Sequence, residues 1–258
     1  MRPVAQLFDL TGRLALVTGS SRGLGRVLAE GLAQAGARVV LHGRDREALE
    51  ASRAQIAAAT GTDPLTVRFD VTDAAAVREA LAALVAAHGV PEILVNNAGI
   101  QRRAPFSEFS AEDWDEIVAA NLSSAFHVSR ALAPGMQERG SGKIVNVGSV
   151  QSVLARQTIA PYSATKGGLV MLTKGMAADL ARHNVQVNAI SPGYFATEMN
   201  QALVADEQFS AWVAQRTPAQ RWGRVEELVG TLVWLCSDAS SFVSGQNVLV
   251  DGGMTAVV

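Results

Sequence analysis

Short apolar runs at 13–18, 38–42, 65–69, 92–95, 142–148, 185–190 and 246–250 alternate with longer stretches at 23–35, 45–59, 73–88, 111–135, 161–182 and 225–237. The longer stretches are rich in Ala, Leu, Glu and Arg at three-to-four spacing. This alternation constrains the fold more than any other feature. The short runs read as buried strands and the stretches between them as helices. Strands separated by helices are joined by right-handed crossovers, which makes them parallel and covers both sheet faces. The expectation is a single α/β domain over residues 1–258, doubly wound, with a seven-stranded parallel sheet flanked by helices. No Pro/Ser-rich linker, repeat or low-complexity stretch divides it. In such a sheet, ligands bind beyond the carboxyl ends of the strands.

Charge narrows the function. Lys and Arg number 22 and Asp and Glu 24, mixed along the chain, for a net charge of −2. That balance gives no electrostatic case for nucleic acid or an anionic membrane. The first residues lack the apolar core of a secretory signal, and no run reaches the ~20 residues of a membrane span. The lone Cys236 sits in an apolar helical pattern and reads as a small core residue in a reducing, cytoplasmic setting. His42, His88, His127 and His183 are scattered without ligand spacing, so no metal site is expected.

The first strand runs directly into Gly19-Ser-Ser21-Arg22-Gly23-Leu24-Gly25 and then a helical pattern. Strand, glycine loop and helix make a phosphate-binding layout: glycines let the backbone approach a pyrophosphate, and the helix N-terminus stabilises its charge. Further on, Tyr162 and Lys166 stand four residues apart on one helix face. A lysine cation beside a phenol favours phenolate and pulls the tyrosine down from about 10 toward neutrality. Such a tyrosine trades protons with an alcohol or carbonyl oxygen. Ser149 closes the apolar run that precedes this helix, which places its hydroxyl at a strand end facing Tyr162. Taken alone, the Tyr/Lys spacing reads as a surface tyrosine near a solvated lysine.

In order and spacing, Thr18-Gly19 through Gly25, Asp70, Asn96-Asn97-Ala98-Gly99, Asn121, Ser149, Tyr162, Lys166, Ser191-Pro192-Gly193 and Asp251-Gly252-Gly253 resemble the short-chain dehydrogenase/reductase superfamily from end to end. Within it the chain is most similar to the gluconate 5-dehydrogenase group, through Gln101-x-Arg103, the segment from Ser149 and Gln151 to Arg156, Pro192 to Met199, and Thr217 to Trp222. The resemblance implies catalytic roles for Asn121, Ser149, Tyr162 and Lys166. Tyr162 would be the acid/base, with Lys166 lowering its pKa and holding the nicotinamide ribose. Ser149 would polarise the substrate oxygen. Asn121 would hold a helix kink and a water that feeds protons toward Lys166. It further implies that Gly19, Ser21, Arg22, Gly23, Leu24 and Gly25 cradle the cofactor phosphates, and that Asp70 and Val71 meet adenine. Asn97, Ala98 and Gly99 would line the ribose, and Pro192, Gly193, Phe195 and Thr197 the nicotinamide. Residues 197–218, with Met199, Leu203, Val204, Phe209, Trp212 and Val213, match a mobile substrate lid; an amphipathic pair fixed on the body fits the same pattern.

For the cofactor, Gly43 stands where a carboxylate would grip the ribose 2′-hydroxyl of NAD, and Arg44 follows it. Arg22 and Arg44 together suit a 2′-phosphate, so NADP(H) is expected over NAD(H); Asp45 is the contrary signal. The expected reaction is hydride transfer between nicotinamide and a secondary alcohol or ketone, with D-gluconate and 5-keto-D-gluconate as the pair. Gln101, Arg103, Ser149, Gln151, Arg156 and Tyr162 would bind the substrate, the arginines taking its carboxylate. Val153 departs from the glutamate usual among gluconate-type relatives. The alternatives are a 3-oxoacyl-thioester reductase, another polyol dehydrogenase or a non-catalytic dinucleotide-binding protein. The resemblance also implies a homotetramer built on 161–182 and 225–258.

Overall fold

The computed structural model describes residues 2–197 and 200–257; Met199, named above in the lid, lies outside them. Seven strands form one sheet: β1 Leu14–Val17, β2 Arg38–Gly43, β3 Leu65–Arg68, β4 Ile93–Asn96, β5 Gly142–Val147, β6 Val185–Pro192 and β7 Asn247–Val250. Their order is β3-β2-β1-β4-β5-β6-β7 and every pairing is parallel. Each strand lies within two residues of its expected run at either end. Chain order reverses between β1 and β4, which opens a crevice at their carboxyl ends.

Packing follows from the pleat. Ala15 and Val17 of β1 join Leu28 and Leu32 of α2 (Gly23–Gln34) and Leu232 and Leu235 of α10 (Val229–Cys236) in one core. Leu14 and Leu16 join Leu81 of α4 (Ala74–His88), Leu132 of α6 (Ser124–Arg139) and Leu180 of α7 (Ala160–Leu180) on the other face. Successive strand residues point to opposite faces, so a strand covered on both sides must be apolar throughout. Each fully buried leucine contributes roughly 1.5–3 kcal/mol. Cys236 belongs to the first core, where burial pushes its thiol up to about 12.

One expected helix differs. The stretch 111–135 is two helices, α5 (Ala111–Val118) and α6, joined by a π turn over Ala119–Ser123. α6 also runs past Pro134 to Arg139 before Gly140 closes it with φ +71°. A proline removes one backbone bond, but burial of Leu132 and Met136 on either side holds the helix together. Caps set other boundaries: Asp45 begins α3 (Arg46–Thr60) by accepting from Glu47 and Ala48 N–H, and Asp73 does the same for α4. The remaining α-helices among the described residues are α1 (Val4–Leu7), α8 (Gln201–Val204) and α9 (Glu207–Arg216).

Candidate active site

The glycine loop emerges from β1 into a cradle that excludes side chains. Gly19 and Gly23 have φ +64° and +56°, the left-handed region that favours glycine. A Cβ on Gly25 would overlap the Gly19 carbonyl oxygen and Asn97 Nδ2. Asn97 Nδ2 donates to the Thr18 and Gly19 carbonyls at 3.0 and 3.1 Å, and Thr18 Oγ1 accepts from Asn97 N–H and Ala98 N–H. Asn97, expected to line the ribose, has its side chain bonded to the glycine loop. Gly99 is held tight because a Cβ there would sit 2.9 Å from Asn121 Oδ1. Leu24 is half-buried in the first turn of α2 and packs against the first core.

His42, one of four histidines scattered along the sequence, completes the cradle. It is 2% exposed at the end of β2. Its Nδ1 accepts from Gly19 N–H at 3.0 Å, and its Nε2 lies 3.1 Å from the Phe69 carbonyl. A buried polar residue at a strand terminus beside Gly43 is the signal that could have found it.

Beside Gly43, the end of β2 meets the glycine loop. A Cβ on Gly43 would lie 3.1 Å from Ser21 Cβ and Oγ, so this glycine also serves packing. Arg44 Nη1 is 3.3 Å from Asp70 Oδ2 and its side chain is 75% exposed. Asp70 accepts from Thr72 N–H and Oγ1, and these bonds, with Arg44, hold its carboxyl below the usual range. Val71 follows, half-buried. Asp45 uses one carboxylate oxygen, Oδ1, for both bonds of its cap. Ser21, Arg22, Gly23 and Thr197 border one cleft of about 430 Å³. Glycines without room for Cβ, the lack of a carboxylate at Gly43 and two exposed arginines fit a phosphorylated dinucleotide.

The proton-transfer groups meet at the ends of β5 and α7. Ser149 caps the short 3₁₀ turn Val150–Ser152, its Oγ accepting from Gln151 N–H at 3.1 Å. Tyr162 and Lys166 lie one turn apart in α7 as expected, with Lys166 Nζ 5.6 Å from the phenol ring centroid. The expected electrostatics does not hold. Lys166 Nζ donates to the Val147 carbonyl at 2.7 Å, and burial pulls its amine down to about 8. The Tyr162 phenol is raised, not lowered, because removal from water outweighs the opposing bond from Ser149. Asn121 sits in the π turn, its Oδ1 accepting from Ile100 N–H at 2.7 Å and its Nδ2 donating to the Ile100 carbonyl at 2.9 Å. The side chain thus clamps the loop after β4.

Opposite these groups, Pro192 ends β6 and the Gly193 N–H donates to Val250. A Cβ on Gly193 would lie 2.8 Å from Asp251 Cα, which holds this floor against the C-terminal turn. Phe195 is buried against Gly223, and Thr197 N–H donates to its carbonyl. Arg156 lies over the Phe209 ring at 5.0 Å. Phe209 packs with Tyr194, Trp212 and Trp222, all ring centroids within 6.1 Å of one another where paired. This aromatic group joins α9 to the floor, and only Phe209 and Trp212 of it stood in the expected lid. Arg103 reaches Gln101 Oε1 at 3.4 Å, and desolvation with the nearby Arg156 charge depresses its guanidinium. Neither arginine forms an ion pair among the described residues. Gln151 is 8% exposed and its Oε1 has no partner among the described residues; Ser163 Oγ is likewise buried and unpaired. No group of three or more metal-ligating side chains occurs among the described residues, and no helix there is long and apolar enough to cross a membrane.

A glycine cradle at the switch point of a parallel sheet, with a serine, a tyrosine and a lysine at the same edge, defines a dinucleotide-dependent oxidoreductase fold. The family model described as Enoyl-(Acyl carrier protein) reductase matches residues 19–255. The chain belongs to the short-chain dehydrogenase/reductase family. It is 56% identical over 249 residues to a gluconate 5-dehydrogenase of Gluconobacter oxydans, covering 96% of this chain and 97% of the relative. It is 46% identical to a 5-keto-D-gluconate 5-reductase of Escherichia coli over 256 residues, 98% and 99% of the two chains. The structure of a gluconate 5-dehydrogenase from Burkholderia cenocepacia, in complex with NADP and tartrate, superposes with a TM-score of 0.96 at 50% identity, over 99% of this chain and 100% of that one. A 3-oxoacyl-[acyl-carrier-protein] reductase of Escherichia coli stands further off, at 35% over 249 residues, 96% of this chain and 100% of that relative.

Proposed function

We propose that this enzyme interconverts D-gluconate and 5-keto-D-gluconate with NADP(H). The observation that carries the substrate half is the Arg103–Arg156 pair. Two guanidinium groups near enough for one to depress the other, without a carboxylate of their own among the described residues, are stabilised by an anionic ligand. Gln101 and Gln151 offer amide groups for sugar hydroxyls. On the nucleotide side, Arg22 and Arg44 take the 2′-phosphate. The exposed Arg44–Asp70 pair is worth about 0–1 kcal/mol, so it yields readily.

When bound, the nicotinamide accepts or donates the hydride. Ser149 Oγ holds the substrate oxygen, and the Tyr162 hydroxyl exchanges its proton. Lys166 serves the cofactor ribose and the phenol, and the Asn121 clamp fixes the loop between them. Because burial raises the phenol, oxidation should quicken and reduction slow as pH rises above neutrality. Assay of a panel of sugar acids, neutral polyols and a 3-oxoacyl thioester with both cofactors tests the reading. Turnover of D-gluconate with NADP supports it; inert gluconate beside a reduced thioester replaces it with the acyl reductase.

The oligomer and the lid belong to the same reading. Met171 on α7 is 63% exposed and Phe242 fully so, and such apolar surface suits a homotetramer. Gel filtration with light scattering checks it. Residues 197–218 serve as a lid, with α9 resting on the aromatic group around Phe209, and a cytoplasmic setting fits the buried free thiol of Cys236.

A further inference from the structure

The glycine loop and the adenosine end of the crevice are built on different strands, and one buried ring touches both. His42 lies on β2. Toward β1 its Nδ1 accepts from Gly19 N–H at 3.0 Å; toward β3 its Nε2 faces the Phe69 carbonyl at 3.1 Å. Gly19 opens the phosphate cradle, and Phe69 immediately precedes Asp70. The two contacts dictate a neutral ring with the proton on Nε2, because Nδ1 must keep its lone pair for Gly19. Further bonds lock the same node: Ser20 N–H donates to the His42 carbonyl, His42 N–H to Ser20 Oγ, and Ser52 Oγ to the Ser20 carbonyl, each at 2.9 Å. The ring also packs on Phe69 with centroids 4.0 Å apart. Its charged neighbours, Asp70 and Arg44, act with opposite signs, so burial decides its state and holds it down to about 4.

We propose that His42 is a positioning residue of the nucleotide site, its neutral imidazole fixing the Gly19 backbone relative to the Phe69–Asp70 turn and so setting the spacing between the phosphate and adenosine halves of the crevice. The proposal rests on the dinucleotide reading but not on the identity of the sugar. Gly19 N–H is spent on the imidazole, so the cradle is shaped before a nucleotide arrives. Protonation of Nδ1 would turn the acceptor into a second donor aimed at Gly19 N–H and open the loop.

Fluorescence and calorimetric titration of NADP+ without sugar tests this on the full chain. His42→Leu deletes both ring contacts and should raise the NADP+ Kd about ten- to a hundredfold, the effect of losing two neutral hydrogen bonds. His42→Gln, which retains one acceptor and one donor, should recover to within about fivefold. The loss should fall on nucleotide affinity, with kcat at saturating nucleotide and KM for the sugar changing far less. The ratio of the His42→Gln Kd to the wild-type Kd should fall as pH drops toward about 4, since only wild type loses its acceptor there, and the 2′-phosphate titrates alike in both. This comparison stands even if His42→Leu fails to fold. An unchanged Kd in His42→Leu, equal losses in all three parameters, or a flat ratio with pH overturns the proposal. Wild type that binds neither NADP+ nor NAD+ overturns the dinucleotide reading with it.

Discussion

The two halves of the crevice are built on opposite terms. Around β1, β2 and β3, polar groups are spent on one another: Asn97 on the glycine loop, His42 on Gly19 and Phe69, Asp45 on α3, and Asp70 on Thr72. Around β4, β5 and the 194–222 region, Gln151 Oε1 and Ser163 Oγ lack partners, Arg103 and Arg156 lack carboxylates among the described residues, and an exposed Phe106 and Val153 stand nearby in sequence. A buried amide oxygen left unpaired costs about 1–3 kcal/mol. The first half is thus bonded within itself, and the second keeps polar groups without partners. On the proposed reading, affinity for the nucleotide would come from preorganisation and substrate specificity from groups that await a partner.

The most forceful way to break this comparison is to remove chemistry from one half only. Tyr162→Phe should lower kcat by about a hundred- to ten-thousandfold, the scale of a lost general acid or base. NADPH affinity should stay within a few-fold, as read by fluorescence titration. A large loss of affinity would mean that the halves are coupled.

The second test loads the preorganised half. The folded pKa of His42, about 4, lies below its unfolded value near 6.5, so between them the unfolded chain binds more protons. Stability should therefore fall as pH drops from 6.5 toward 4, by on the order of 3 kcal/mol. Urea denaturation at intervals across that window, with His42→Asn as the non-titrating reference, measures the difference. Curves that run parallel for the two proteins would contradict it.

A smaller effect is expected at the ligand-seeking half. Arg156→Ala or Arg103→Ala should reduce kcat/KM for D-gluconate by roughly ten- to a hundredfold, the loss of a charge-assisted bond. A neutral polyol should be affected far less; equal losses on both would make the arginines structural. The smallest effect falls on Arg44→Ala. Its contact with Asp70 is exposed, and the substitution should weaken NADP by only a few-fold to tenfold while leaving NAD unchanged, read as the ratio of kcat/KM values. Arg44 is the cleaner probe than Gly43→Asp, whose Cβ would press on Ser21.

Much of this architecture was legible in the chain. Seven apolar runs became seven parallel strands because a strand buried on both faces has to be apolar throughout, and a helix between strands leaves only one hand of connection. The glycine loop and the Tyr162–Lys166 spacing were equally readable, since both depend on contacts within a few residues. What tertiary structure alone decided depends on groups far apart in sequence. The π turn at 119–123 holds Asn121 against Ile100, 21 residues away. His42 finds Gly19 and Phe69 across 23 and 27 residues once β1, β2 and β3 pair. Most instructive is Tyr162: local spacing gave it a lysine neighbour and a lowered pKa, yet Lys166 turns to the Val147 carbonyl and burial raises the phenol. Sequence determines which groups are near along one helix. Their solvation and their bonding partners are set by the walls that other strands bring around them, and it is solvation that fixes the energy of a charge.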